Sequence, residues 1–452
     1  MRVVVMGLGL NGGGLGSARF LARAGAEVTV TDGKDAEALA PSIRQLDGLP
    51  IRYVLGRHEL ADFQSADLVV KNPGVCPDSP FLAAARRVET DLSIFLALSR
   101  ADLVAVTGSK GKSTTSSAIA WALREALPDR DVLFGGNITV SVLDLVDRAL
   151  EGAICVLELS SFQLGDLKGR GLLKPRVSVL TRIVPDHLDR YGTMEAYLAD
   201  KRAVYEEQEN DAYTVCDADD AYGRDFAAET RARVRWYADR LGEGAWGAEL
   251  AGGGMVLRPD ASPERVLPDR LLVPGAHNRR NLLAAGLAAT LAGAEPVRVA
   301  EALGRFPGVP HRLEVFAEKD GVAWCNDSAA TVPESVEAAL AAFDRPVVLV
   351  TGGTDKGLDF AAIRASYARA KGVVLLAGTG SEKIRSLLDA DGIAYHGPFG
   401  ELDEAVLRAA SLAEPGDVVA LSPGCTSFGM FRNEFDRGDR FREAVRRLVL
   451  AG

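Results

Sequence analysis

The residues best suited to chemistry lie together in one stretch. Thr107-Gly108-Ser109-Lys110-Gly111-Lys112-Ser113-Thr114-Thr115 follows a short apolar run, Leu103-Val104-Ala105-Val106, and precedes an Ala- and Leu-rich segment, Ser116 to Leu127. This reads as strand, glycine loop and helix. Glycines let successive backbone N–H groups turn inward around an anion, and a helix N-terminus adds partial positive charge. Gly108, Ser109, Lys110, Gly111 and Thr114 would line the phosphates of a nucleotide, Lys112 would reach the β/γ-phosphates, and the Ser113 hydroxyl suits Mg²⁺. The spacing is G-x-x-G-K-S, shorter than the full Walker form, whose first glycine would fall at Val106. An ordinary glycine-rich turn would not need lysine, hydroxyl pair and helix all in register.

Two further strands end in polar residues. Ala153 to Glu158 runs into Leu159-Ser160-Ser161, and Val177 to Leu180 leads through Arg182 to Asp186-His187-Leu188-Asp189. At the carboxyl edge of a parallel sheet such residues meet ligands. Glu158 and His187 would then face the phosphates, where a cation takes oxygen ligands first, with imidazole possible. The plainer alternatives are a helix-N-terminal carboxylate for Glu158 and a capping or turn histidine for His187. Asn278 and Asn281, three apart at the start of an Ala-rich helix, could share a face or simply cap it.

A second glycine turn opens the chain. Strand Arg2 to Met6, Gly7-Leu8-Gly9-Leu10-Asn11-Gly12, a helix from about Leu15 and a strand ending at Asp32 form a βαβ unit with G-x-G-x-x-G. An acid about twenty residues on is the dinucleotide fingerprint. The turn serves any pyrophosphate-bearing nucleotide, and no second dinucleotide half follows. A strand then runs into Lys71-Asn72-Pro73-Gly74.

These motifs need α/β scaffolds to hold them. At 452 residues the chain is too long for one core and suggests about three domains. The divisions read as 1–96, 97–308 and 309–452, with the last entered through Pro307-Gly308-Val309-Pro310. The expected fold is a Rossmann-like first domain, a central phosphate-loop ATPase domain with a mostly parallel sheet, and a Rossmann-like α/β third domain. Residues 206 to 270 read as a peripheral, strand-rich segment. A net charge of −10 argues against nucleic acid or an anionic membrane as partner. Five scattered cysteines without a C-x-x-C pair read as reduced thiols of a cytoplasmic protein. Met1 leads straight into a strand, so no signal peptide is expected.

Taken together, the motifs resemble the Mur ligase family, the ATP-dependent amide-forming enzymes of peptidoglycan synthesis. The resemblance spans essentially the whole chain. It rests on Thr107 to Thr115, LELSSFQL (157–164), DHLDRY (186–191), His277 to Asn281, PHRLE (310–314) and NDSAAT (326–331), and the opening GLGLNG points to the glutamate-adding branch. It implies an acyl phosphate formed from ATP, then attack by the amine of D-glutamate on UDP-N-acetylmuramoyl-L-alanine, in a cytoplasmic monomer that serves cell-wall growth and division. It implies ATP contacts from Asn278, Asn281, Arg312 and Asp327 besides the loop. Two Mg²⁺ ions would be held with Ser113, Glu158 and His187. UDP-substrate contacts would come from Leu10, Asn11, Asp32, Gly74 and Asn137, and glutamate contacts from Thr331, Lys356, Ser427 and Phe435. Lys201, on its own a solvated helix lysine, becomes by resemblance a lysine carbamylated by CO₂ that would help hold the second Mg²⁺.

Several positions depart from the family pattern. Gly33, Arg182 and Thr139 blur contact details. Ala329 stands where a lysine is usual, and Glu434 where a Phe is usual, so Glu434 is expected to point away and Phe435 to fill the pocket. These two touch the amino-acid end and leave L-glutamate or another amino acid as competing substrates. An NAD-dependent dehydrogenase, based on GLGLNG and Asp32, and a nucleotide-binding sensor without catalysis are the readings outside the class.

Overall fold

The computed structural model describes residues 1–10, 12–138, 141–259 and 261–450; Asn11 and Thr139 lie outside these. Among the described residues the strands form three sheets, of five, nine and six strands. The first is wholly parallel, with Arg2–Met6 between Glu27–Asp32 and Leu68–Lys71. Val3, Val4, Val5 and Met6 are all buried, as expected of a parallel strand covered on both faces.

The nine-stranded sheet is built around Asp102–Thr107, which pairs in parallel with Ile154–Glu158 on one side and Val177–Leu180 on the other. Val132–Gly136 closes one edge beyond Ile154–Glu158. On the other side Tyr213–Asp217, Arg233–Ala238 and Gly247–Glu249 continue it in parallel, and Met255–Arg258 and Ala261–Arg265 finish it antiparallel. The segment 206–270 is strand-rich as expected, but rather than standing apart it continues the central sheet from buried inner strands to an exposed edge strand, Ala261–Arg265. Thr214, Val215 and Cys216 are buried and pair in register with the next strand.

The six-stranded sheet has an antiparallel edge, Glu314–Lys319 on Val322–Asn326, and is otherwise parallel. The chain divides into two compact units. One holds Met1–Asp269 with Arg280–Leu303 and contains the first two sheets; the other holds Arg270–Arg279 and the described residues from Gly304 on. All five cysteines are free, four of them buried. Among the described residues no helix is long and apolar enough to cross a membrane.

Candidate active site

The glycine loop leaves Thr107 at the carboxyl edge of the central sheet and enters helix Lys112–Ala126. Two glycines are required by their surroundings. Gly108 has φ 151° and a Cβ there would lie 1.9 Å from Thr181 Oγ1; Gly111 has φ 94° and a Cβ would lie 2.4 Å from Asn281 Oδ1. Not every loop N–H turns inward. Those of Ser109 and Lys110 donate to the Arg182 carbonyl at 2.9 and 3.2 Å. The helix start suits an anion electrostatically: its N-cap is Gly111 and no acid stands in its first turn, so the positive end of the helix is not offset by a local carboxylate. Lys112 Nζ donates to the carbonyls of Gly108 (2.9 Å) and Ser109 (3.0 Å). Ser113 and Thr114 are half-buried at the helix start, and Lys110 is exposed.

Glu158 ends its strand only 2% exposed. Its carboxylate accepts from the Asn137 amide at 3.0 Å and from Ser116 Oγ at 3.5 Å. No cationic side chain pairs with it among the described residues; its carboxyl group is met by neutral donors. Asn137 is fixed twice, since its backbone N–H also donates to the Glu158 carbonyl at 2.7 Å. His187 sits at the N-cap position of the short helix Leu188–Tyr191 with φ 53°. It is half exposed, and its ring stands 4.9 Å from that of Phe162. Phe162 in turn stacks on Tyr191 and lies under the Arg190 guanidinium.

Lys201 is not a solvated helix lysine. It lies on helix Met194–Glu206 but is 1% exposed. Its Nζ donates to the Gly108 carbonyl at 2.8 Å, the same oxygen that Lys112 uses. It also lies 4.6 Å from the centre of the Tyr197 ring. Burial first, and the Lys112 charge second, hold its ammonium well below the usual lysine range. Tyr197 OH bonds Ser109 Oγ at 2.9 Å, and that hydroxyl donates to the Val184 carbonyl at 2.8 Å. The helix bearing Lys201 is thereby pinned to the glycine loop.

In the first sheet, Asp32 is 9% exposed. One of its oxygens accepts from Gly9 N (3.1 Å), the other from Lys34 N (2.9 Å). Asp32 thus shapes the glycine turn, next to an exposed Leu10. Gly74 N donates to Asn72 Oδ1 at 3.1 Å.

In the second unit, Asp327 follows the strand Val322–Asn326. It accepts from Leu313 N at 3.1 Å and Ser422 Oγ at 2.8 Å, beside an exposed Arg312. Burial pushes its carboxyl up to about 7. Thr354 and Thr426 exchange backbone hydrogen bonds at 3.0 Å, zipping the turn of Lys356 to that of Ser427. Lys356 is exposed, Ser427 buried and Thr331 half-buried. Phe435 is 40% exposed and stands edge-on to His311, ring centres 5.6 Å apart.

Residues 1–93 match the MurD-like N-terminal domain of Mur ligases, 106–289 the Mur ligase middle domain, and 311–425 the Mur ligase glutamate ligase domain. A protein named UDP-N-acetylmuramoylalanine--D-glutamate ligase from Roseiflexus sp. (strain RS-1) is 43% identical, with 98% of each chain covered. One of the same name from Treponema pallidum (strain Nichols) is 38% identical over 98% of this chain and 97% of its own. The chain belongs to the Mur ligase family. The Mur ligase fold is also that of solved structures at lower identity. The UDP-N-acetylmuramate-alanine ligase MurC from Thermotoga maritima covers 99% of both chains with a TM-score of 0.64 at 20% identity. The MurF ligase from the same organism, in complex with ADP, has a TM-score of 0.59 at 18% identity and covers 93% of this chain and 94% of its own.

Within this Mur ligase some site-shaping residues carry no motif of their own. Tyr197 lies one helical turn before Lys201, a spacing that puts both on one face and could have raised it. Arg437, fully buried, donates to Ser328 Oγ (2.9 Å), the Ser328 carbonyl (2.8 Å) and the Cys425 carbonyl (3.1 Å). It ties the NDSAAT segment to the turn of Ser427. Nothing in the sequence distinguishes it from the other arginines of helix Glu434–Val445.

Proposed function

We propose that this Mur ligase joins D-glutamate to UDP-N-acetylmuramoyl-L-alanine while converting ATP to ADP and phosphate. The γ-phosphoryl group passes to the alanyl carboxylate, giving ADP and an acyl phosphate. The glutamate amine attacks the carbonyl carbon, loses a proton, and the tetrahedral intermediate expels phosphate. Such a reaction needs aligned reactants and neutralised charge more than a protein nucleophile. Gly108, Ser109, Lys110, Gly111, Lys112, Ser113 and Thr114 hold the ATP phosphates, with Asn278, Asn281, Arg312 and Asp327 as further ATP contacts. Leu10, Asn11, Asp32, Gly74 and Asn137 take the UDP substrate, and Thr331, Lys356, Ser427 and Phe435 take glutamate. The domain limits 1–96, 97–308 and 309–452 follow this division of labour, in a cytoplasmic monomer.

The observation that carries the reading is the meeting of Lys112 and Lys201 at the Gly108 carbonyl, with Glu158 ending the strand paired beside the one that feeds the loop. Two ammonium groups cannot comfortably share the Gly108 carbonyl. A neutral Lys201 amine is the form that adds CO₂, and the carbamate formed would attract Lys112 instead of repelling it. Glu158, buried without a cation, fits Mg²⁺. Among the described residues no group of three or more His, Cys, Asp or Glu side chains is arranged to hold a metal ion by itself. A Mg²⁺ held here would keep waters and phosphate oxygens as its remaining ligands. Ser113, Glu158, His187 and carbamylated Lys201 would hold two such ions, which supply charge neutralisation at the transferring phosphoryl group. The test is phosphate release that requires both UDP-N-acetylmuramoyl-L-alanine and D-glutamate. D-glutamate should exceed L-glutamate by more than about tenfold, a gap of ~1.4 kcal/mol. Preference for another amino acid would refute the substrate, and indifference to the amino acid would refute the ligase.

A further inference from the structure

Where the first sheet meets the second, one lysine is buried against a carboxylate. Lys71 is the last residue of the strand Leu68–Lys71 and runs directly into Asn72-Pro73-Gly74. Its Nζ is 2.8 Å from Asp166 Oδ2, with the two side chains 6% and 9% exposed. It also donates to the Val75 carbonyl at 3.4 Å, which closes the turn. Asp166 lies on helix Ser161–Leu167, the element that follows the strand ending in Glu158. Asp91, 8% exposed, opens helix Asp91–Leu98 of the same junction. Its Oδ2 lies 3.7 Å from where a Cβ on Gly13 would stand. Arg170 and Arg190 also act on Asp166 through space. Arg170 reaches back to Glu89 at 2.7 Å and to the Val88 carbonyl at 3.2 Å.

A buried ion pair is a poor way to gain stability, because desolvation offsets most of the attraction and an apolar pair of similar volume does as well. What it supplies is a single register between the two elements that bear it. Here those elements are the UDP-side turn and the helix behind Glu158. A substrate held at its nucleotide by the first sheet and reacting at its carboxylate beside the second must span a fixed distance. Reaction rates fall steeply when such a reach is mis-set by about 1 Å.

We propose that the Lys71–Asp166 pair is a positioning device that sets the UDP-side turn against the Glu158 edge, so that the reacting carboxylate of the UDP-linked substrate arrives at the phosphate loop. This rests on the ligase function above. The pair acts on the long substrate and not on its nucleotide alone, nor on ATP or glutamate.

The test uses the full chain with Lys71→Met, Asp166→Asn and the exchanged pair Lys71→Asp/Asp166→Lys. Steady-state constants for each substrate are measured alongside calorimetric affinity for free UDP. Lys71→Met and Asp166→Asn should each lower kcat/KM for UDP-N-acetylmuramoyl-L-alanine about tenfold. The KM values for ATP and D-glutamate and the affinity for UDP should stay within about twofold. The exchanged pair should recover much of the loss. Unchanged kcat/KM in folded variants would overturn the proposal. So would a parallel loss of UDP affinity, which would reduce the lysine to a brace of its own turn. Asp166→Asn keeps shape and volume, so the comparison survives if Lys71→Met does not fold. An inactive wild type would refute the ligase function itself, whereas an active wild type with unmoved variants refutes only the pair.

Discussion

The edge of the central sheet and the loops of the second unit are built differently. At the sheet edge the charged groups are sealed in: Glu158 is 2% and Lys201 1% exposed, and each is hydrogen-bonded to loop or strand. In the second unit Asp327 and Ser427 are buried, but Lys356 and Arg312 face solvent from turns and Phe435 is 40% exposed. Charges fixed in a low-dielectric edge act strongly on a transferring phosphoryl group and need no reorganisation. Under the proposed function, an amino acid that must enter and leave would be met here by solvent-facing groups, whose contacts are individually weaker. The sheet edge should therefore control turnover, and the loops of the second unit should control affinity for glutamate.

The largest effect is expected at Lys112. Lys112→Ala should lower kcat by roughly a thousandfold, about 4 kcal/mol of transition-state stabilisation, with the circular dichroism spectrum unchanged. Near-normal phosphate release from the folded variant would break the contrast at its strongest point.

Lys201→Ala should come next, with kcat lowered by roughly a hundredfold, about 2.7 kcal/mol. Added short carboxylic acids should restore part of the activity, because they replace the carbamate and not the ammonium. Under the proposed carbamylation, turnover of the wild type should also depend on dissolved CO₂. Full activity of the variant without added acid would remove the carbamate from the scheme.

Lys356→Ala should raise the KM for D-glutamate by about tenfold, ~1.4 kcal/mol, while sparing kcat and the KM for the UDP substrate. A fall in kcat instead would mean that this loop takes part in turnover, and the contrast would fail from its other side.

An effect of similar size to the last concerns stability and not turnover. Asp327 holds its proton up to about pH 7 in the folded chain, while an unfolded aspartate loses it near about 4. The folded state therefore binds more protons between those values. Its stabilising contribution is complete below about pH 4 and is lost as pH rises to about 7. The interior responds as a medium of higher effective dielectric than dry protein, so the loss should be ~1–2 kcal/mol. Urea midpoints of the wild type should fall across that window, and those of Asp327→Asn should fall less. Equal slopes would place the proton elsewhere.

Much of this was legible from local pattern. Strand, glycine loop and helix at 103–127 follow from apolar run, glycines and helix formers, and Gly108 and Gly111 are each confirmed by a side chain that a Cβ would strike. Glu158 could be placed at a sheet edge because strand and polar residue adjoin in sequence. Residues 206–270 are strand-rich as the sequence indicates, but that their strands continue the central sheet out to its edge is not legible, because short strands with charged loops look alike in a separate segment and in a continuing sheet. That the Ser109 and Lys110 N–H groups turn to the Arg182 carbonyl is not legible locally, since Arg182 lies more than seventy residues away.

The sequence by itself determined the α/β character, the phosphate loop and the polar strand ends, because these depend on residues within one or two elements. Only the tertiary structure decided the state of the charges. Lys201 reads as a surface lysine until the sheet and the glycine loop close over it, and its nearest cation, Lys112, lies on another helix. Lys71 and Asp166 are likewise unremarkable apart and become a buried pair only when the first sheet meets the helix after Glu158. Desolvation and charge–charge coupling depend on distances between elements, and those are fixed by packing rather than by the order of residues along the chain.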